Sequence, residues 1–279
     1  KALKTDKVDN VSSDLRNLRM SKTTEELAQI KKSAELHTKV YKRIPSLYIK
    51  GMTDLELQIE IEREMRLHGS IGIFRSFGEN MDIFMGSLLA GDNAQAASPF
   101  DYALGGEGIS PILPLGANGS ILKSGTTIMI DMAGNYRPYM DDMSRTFSIE
   151  QAPDTAYFAH EISIKIHNSI KSFAKPGTSC SDIYNTALEI VKENNLEAYF
   201  MGTGQQAKFI GHGVGLEINE PPVFTPRSKE TLVAGMAIAL EPKFVLPGIG
   251  AVGIENTYIV NENGLENITL CEEEMIILK

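Results

Sequence analysis

Four acidic residues stand where an ordinary core strand would carry none. Asp131 follows Ile128-Met129-Ile130, Glu241 follows Met236-Ala237-Ile238-Ala239-Leu240, and Glu255 lies within Ala251-Val252-Gly253-Ile254 and Asn256-Thr257. Asp142 falls on the segment that returns from Asp131, and His212 is framed by Gly211 and Gly213. A lone carboxylate in a core strand costs several kcal/mol unless it is paired or bound to metal. With Arg145 taken as the one cation near any of them in sequence, shared divalent metal ions are the economical solution. Singly, each residue has a plainer reading: Asp131 as a turn acid, Asp142 as half of a solvated pair with Asp141, Glu255 as a salt-bridge partner, His212 as a hydrogen-bonded core histidine. As a set of five they demand a common explanation.

Strand parity agrees with that explanation. Side chains alternate faces, so Glu241 shares its face with Ala239 and Ala237, and Glu255 shares its face with Gly253 and Ala251. Small neighbours leave room for ions. A turn at Gly134-Asn135 would bring Asp131 and Asp142 together. Two divalent ions would balance four carboxylates, and water bound to such ions ionises near pH 7.

The elements that must position these residues are legible as well. Residues 1–19 are polar and aperiodic and read as a linker or tail. Thr23 and Thr24 with Glu25 and Glu26 open a helix whose apolar positions run from Leu27 to Ile44, with Pro45 expected to stop it. Thr53 with Glu56 is a capping box for a second helix reaching about Leu67. Short strands and long connections follow to about Leu122, then a strand ending in Asp131 and a return strand over 136–149. Helices are expected over 154–174 and from Ser181, and strands over 208–215, 235–242, 251–261 and 273–278. Helices grouped apart from hairpins indicate an α+β fold.

Composition narrows the function. The 279 residues carry 27 Lys and Arg against 36 Asp and Glu, a formal charge of −9. Such a chain is a poor binder of nucleic acid and lacks the basic stripe that would hold it to an anionic membrane. No run of apolar residues is long enough to span a bilayer. The two cysteines, Cys180 and Cys271, are not in a C-x-x-C pair, which suits a reducing, cytoplasmic setting. The stretch 202–207 fits G-x-G-x-x-A, but the glycine-rich Phe209-Ile210-Gly211-His212-Gly213 follows it rather than a helix, which argues against dinucleotide binding. His160 and His167 fall on one helix and read as surface histidines, and Glu272-Glu273-Glu274 reads as a solvated run. Tyr136, Phe209 and Phe224 flank the acids and read equally as pocket wall or core.

Four segments in order, DMAGNYRPYMDDMSRT at 131–146, GHGVGLEINEPP at 211–222, GMAIALEP at 235–242 and GIENTY at 253–258, resemble the metal-binding motifs of the superfamily of methionine aminopeptidase, Xaa-Pro aminopeptidase, prolidase and creatinase. The opening LRMSKTTEELAQIKKSA resembles the start of the catalytic domain in the Xaa-Pro and prolidase branch. The resemblance implies the pita-bread fold, an antiparallel curved sheet flanked by helices, over residues 20–279. It makes residues 1–19 the linker from an N-terminal domain. It implies a dinuclear exopeptidase of the Xaa-Pro aminopeptidase or dipeptidase type, loaded with two ions of manganese, cobalt, zinc or iron, and a possible homodimer. Asp131 would bind one ion, His212 and Glu241 the other, and Asp142 and Glu255 both. A bridging hydroxide would attack the peptide bond before proline, with Glu241 moving the proton. Two departures stand out. The superfamily's second histidine is expected seven residues beyond His212, where this chain has Asn219, an alternative substrate contact that cannot carry a proton. A further histidine is expected near Ala97-Ser98-Pro99-Phe100, and none occurs between His68 and His160. A same-fold enzyme acting on another small amide, or a non-catalytic binding module, are the competing expectations.

Overall fold

The computed structural model describes residues 9–75, 82–98 and 102–279. Residues 1–8, and Pro99 and Phe100 of the 97–100 motif, lie outside the described residues. Part of the stretch read as an irregular tail is helix α1 (Ser12–Met20). None of its side chains is buried, so it has no apolar periodicity to reveal it. Its last turn is tied down by Arg19, which donates to Glu220 and pairs with Glu217.

Helix α2 (Thr24–Tyr41) opens on a reciprocal capping box between Thr23 and Glu26. Pro45 does not stop it. The helix ends at Tyr41, and Pro45 falls in the first turn of the short helix α3 (Ile44–Leu47), where its missing N–H leaves no helical bond unmade. Helix α4 (Asp54–Leu67) repeats the capping box with Thr53 and Glu56. Next come β1 (Ile73–Arg75), β2 (Asp82–Phe84), β3 (Gly86–Ala90), β4 (Thr127–Gly134) and β5 (Asp141–Ile149). The return strand therefore starts at Asp141, with residues 135–140 as its connection. Helices α5 (Asp154–Phe173) and α6 (Cys180–Glu193) lead to β6 (Gly211–Gly213), β7 (Glu220–Val223), β8 (Ala237–Leu240), β9 (Lys243–Leu246), β10 (Gly250–Gly253), β11 (Asn256–Asn261), β12 (Gly264–Asn267) and β13 (Ile276–Leu278).

Two main sheets result, ordered β13-β5-β4-β3 and β12-β11-β8-β6-β7, with β9 and β10 as a separate hairpin. Every strand pairing described is antiparallel except that of β13 with β5. Helices α2 and α4 cover the first sheet, through Val40, Tyr41, Leu57, Ile61 and Met65 against Leu88, Ile130 and Phe147. Helices α5 and α6 cover the second, through Ile162, Ile166, Ile183 and Ala187 against Ile238, Leu240 and Tyr258. This is the expected α+β arrangement of helices around antiparallel sheets. The sheets are stitched together where Ser144 bridges Glu255 and where Thr257 exchanges hydrogen bonds with the backbone of Asp142. The acids meet at that seam.

His160 and His167 are not surface residues. Both are buried on the sheet-facing side of α5. His160 bonds the Glu273 carbonyl, and His167 bonds the Ile254 carbonyl and the Tyr258 hydroxyl. Their seven-residue spacing puts them on one helical face, and that face carries Ile162, Ile166 and Ile170 into the core. Glu273 is half-buried and accepts from Asn256, so the acidic run at 272–274 is only partly solvated.

Candidate active site

The β4–β5 register sets the first half of the site. Asp131 lies opposite Ser144, and Ala133 opposite Asp142. Paired residues share a face, as do residues two apart, so two acids and two small residues line one surface. Across the seam, His212 on β6 lies opposite Ala239 of β8, and Glu241 follows β8 directly. Glu255 sits between β10 and β11, where the Ser144 hydroxyl donates to its Oε2 at 2.6 Å. Gly253, two residues before it, lets β10 pass close to the Pro242 backbone. Its φ is +133°, and a Cβ there would lie 2.7 Å from the Pro242 carbonyl oxygen.

All five expected residues converge. Ligand atoms of Asp142, His212 and Glu255 lie within 4.8 Å of one another, and so do those of Asp131, Glu241 and Glu255. In the first group, His212 Nδ1 donates to the Gly213 carbonyl at 3.0 Å. That bond fixes the tautomer and leaves the Nε2 lone pair facing Glu241 Oε1 at 3.5 Å and Asp142 Oδ2 at 3.8 Å. Glu255 Oε1 is buried with no hydrogen-bond partner among the described residues. A lone pair turned toward carboxylates, beside an orphaned carboxylate oxygen, fits a divalent cation.

The second group is different, and the count of nearby cations made from the sequence has to be corrected. Arg145 does not serve the acids. Its guanidinium points to the other face of β5, to backbone carbonyls and Asn256. The cation that serves them is Lys243. Its Nζ donates to Asp131 Oδ2 at 2.8 Å, Glu241 Oε2 at 2.8 Å and Glu255 Oε2 at 3.0 Å, with the side chain 0% exposed. Lys243 had a signal in the sequence: it lies two residues beyond Glu241, on the parity that the alternation argument assigns to the same face.

Charge and burial oppose each other throughout. Burial alone would discharge Lys243, but Asp131, Glu241 and Glu255 outweigh it and raise its pKa. Burial, reinforced by Glu241 and Asp131 and opposed by Lys243, pushes Glu255 up to about 8. Burial and then Glu255 raise Asp142, and burial lowers His212. Glu241 is raised by burial against the pull of Lys243.

The acids and His212 form the floor of a narrow cavity of about 50 Å³ that opens to solvent, walled by Phe74, Leu115, Phe209 and Ile218 and with Asn219 in its lining. Of the three flanking aromatics, Phe209 lines the cavity, whereas Tyr136 and Phe224 are packed into the two cores.

Residues 28–262 match the sequence model of metallopeptidase family M24. The chain belongs to that family. Within it, the chain sides with the prolidase-like branch. It is 27% identical over 271 residues to the Xaa-Pro dipeptidase of Pyrococcus furiosus, covering 97% of this chain and 68% of that protein. The solved prolidase from Pyrococcus furiosus superposes with a TM-score of 0.78 at 25% identity, covering 95% of this chain and 69% of that one. The X-Pro aminopeptidase from Thermotoga maritima shares the fold at a TM-score of 0.78 and 23% identity, with 95% and 66% covered. The fold is thus the expected pita-bread fold, and the chain spans about two thirds of the length of these relatives.

Proposed function

We propose that residues 20–279 form the catalytic domain of a metal-dependent exopeptidase of the Xaa-Pro dipeptidase or aminopeptidase type, cleaving the peptide bond before proline. The observation that carries the reading is the convergence of Asp142, His212 and Glu255, with Asp131 and Glu241 beside them, on the floor of an apolar-walled cavity. The prolidase-like relatives support the substrate class. Asp142, His212 and Glu255 would hold a divalent ion of manganese, cobalt, zinc or iron. Bound there, the ion supplies Lewis acidity that polarises a peptide carbonyl and acidifies water.

The protein's own residues do the rest. Glu241 is the proton carrier. Lys243 pins its Oε2 while Oε1 stands beside His212 Nε2, and its raised pKa moves it toward the range where a carboxyl both takes and gives a proton. Phe74, Phe209 and Ile218 offer a dry wall for a proline ring. Asn219 donates its amide to the substrate, without proton transfer. Among the described residues, no helix is long and apolar enough to cross a membrane, and both cysteines are free thiols.

The test is hydrolysis of Xaa-Pro dipeptides, and of longer peptides with proline second, by protein whose manganese or cobalt content has been measured. Cleavage before proline is the expected result; no cleavage of any of them by metal-loaded protein refutes the reading. A second reading, hydrolysis of another small amide by the same site, is favoured by one observation. His212 is the only histidine in the described cavity lining, so the superfamily's substrate-site histidines have no counterpart there. Turnover of non-proline amides alone would select it.

A further inference from the structure

We propose that the ammonium of Lys243 holds the place of a second cation, so that this site takes one divalent ion, at Asp142, His212 and Glu255, rather than two. The inference rests on the metal-dependent reading above and changes its stoichiometry.

The geometry is that of an occupied position. An ammonium has three N–H donors and no acceptor. All three donors of Lys243 are used, on Asp131, Glu241 and Glu255, and these are the three acids of the second ligand group. A divalent ion on the same oxygens would sit about 2.0–2.6 Å from each. Nζ already stands 2.8–3.0 Å from them, so ion and ammonium would overlap.

The lysine is also held in place at its backbone. Its side chain is fully buried, and its backbone is fixed on two sides. It pairs with Gly253 across the β9–β10 hairpin, and its carbonyl accepts from the Met201 N–H.

The first group shows the complementary pattern. There the His212 Nε2 lone pair faces Asp142 and Glu241, and Glu255 Oε1 is a buried acceptor without a hydrogen-bond partner among the described residues, the donor set a divalent ion takes.

The experiment loads the purified protein with manganese, removes excess by desalting, and reads elemental content per chain with the electron paramagnetic resonance spectrum. One manganese per chain with the spectrum of an isolated ion is expected for the wild type. Lys243→Ala is expected to take two, with the spectrum of an exchange-coupled pair. Two coupled ions in the wild type overturn the inference, and so does a folded Lys243→Ala that still takes one. Should that variant fail to fold, wild-type crystals soaked in manganese decide: a single anomalous peak beside His212 supports the inference, and a second peak beside Asp131 overturns it. No manganese in folded wild-type protein would instead overturn the metal-dependent reading itself.

Discussion

Arg145 and Lys243 are two buried cations on either side of the same seam, and they do opposite work. Arg145 donates to the carbonyls of Ser144, Glu255, Thr269, Cys271 and Glu272 and to the side chain of Asn256. Its partners are neutral and come from several chain segments, so it fastens the C-terminal strands to β5. The ammonium of Lys243 donates to three carboxylates, so it tunes the charge of the site. Strand parity explains the division. Asp142 and Ser144 face the site and Arg145, one residue on, faces away, whereas Glu241 and Lys243 are two apart and face together. Nearness in sequence misleads where alternation does not.

The sharpest way to break this comparison is to delete each cation and ask whether an ion restores the protein. Removing one partner from a buried ion-pair cluster costs about 3–5 kcal/mol. Lys243→Ala should lose that much in urea unfolding with chelator present, and manganese should return most of it, because an ion then faces the three released carboxylates. Arg145→Met should also be destabilised, because each buried carbonyl left without a donor costs about 1–3 kcal/mol. Manganese should stabilise Arg145→Met no more than it stabilises the wild type. Equal rescue of both variants would erase the distinction between fastening and tuning.

Glu241→Gln probes what the tuning is for. The amide keeps its place near Lys243 but cannot carry a proton. Loss of general acid–base catalysis costs about 10²–10⁴-fold in rate, so kcat on whichever peptide the wild type cleaves should fall by that range. Turnover within a few fold of wild type would remove Glu241 as the proton carrier and leave Lys243 holding a residue of structural use only.

Why Lys243 is hard to see in the sequence while four acids and one histidine stand out is itself physical. Carboxylates inside apolar runs violate the burial rule, so Asp131, Glu241 and Glu255 announce themselves. Lys243 follows Pro242, which separates it from β8, and it opens a short strand whose partner β10 is assigned only in three dimensions. The alternation that links Glu241 to Lys243 was available, but it continues through a proline where strands commonly end. The capped helices α2 and α4 were legible because their caps are local chemistry. Helix α1 was not, because no face of it is buried, and the inward turn of His160 was not, because helical spacing gives a shared face without saying what that face meets.

His160 carries the smallest effect and couples to one cation of the pair. Its Nε2 donates to the Glu273 carbonyl at 2.7 Å, and its Nδ1 is buried without a hydrogen-bond partner among the described residues. Burial, with the charge of Arg145 adding to it and the Glu273 carbonyl opposing, holds its pKa down to about 4. An unfolded histidine titrates near 6.5. Between those values the unfolded chain binds the proton and the folded chain does not, so stability is full above about pH 6.5 and is lost as pH falls toward 4. The slope is at most about 1.4 kcal/mol per pH unit. Other groups titrate in the same window, so the informative quantity is the wild type minus His160→Gln difference in unfolding free energy, measured from pH 7 to pH 4.5. That difference should change with this sign and approach this slope. In an Arg145→Met background it should shrink, because part of what depresses His160 is gone. In a Lys243→Ala background it should stay, because Lys243 is not among the groups that hold His160 down. A pH dependence that ignores Arg145 and follows Lys243 would place the charge of the seam on the wrong cation.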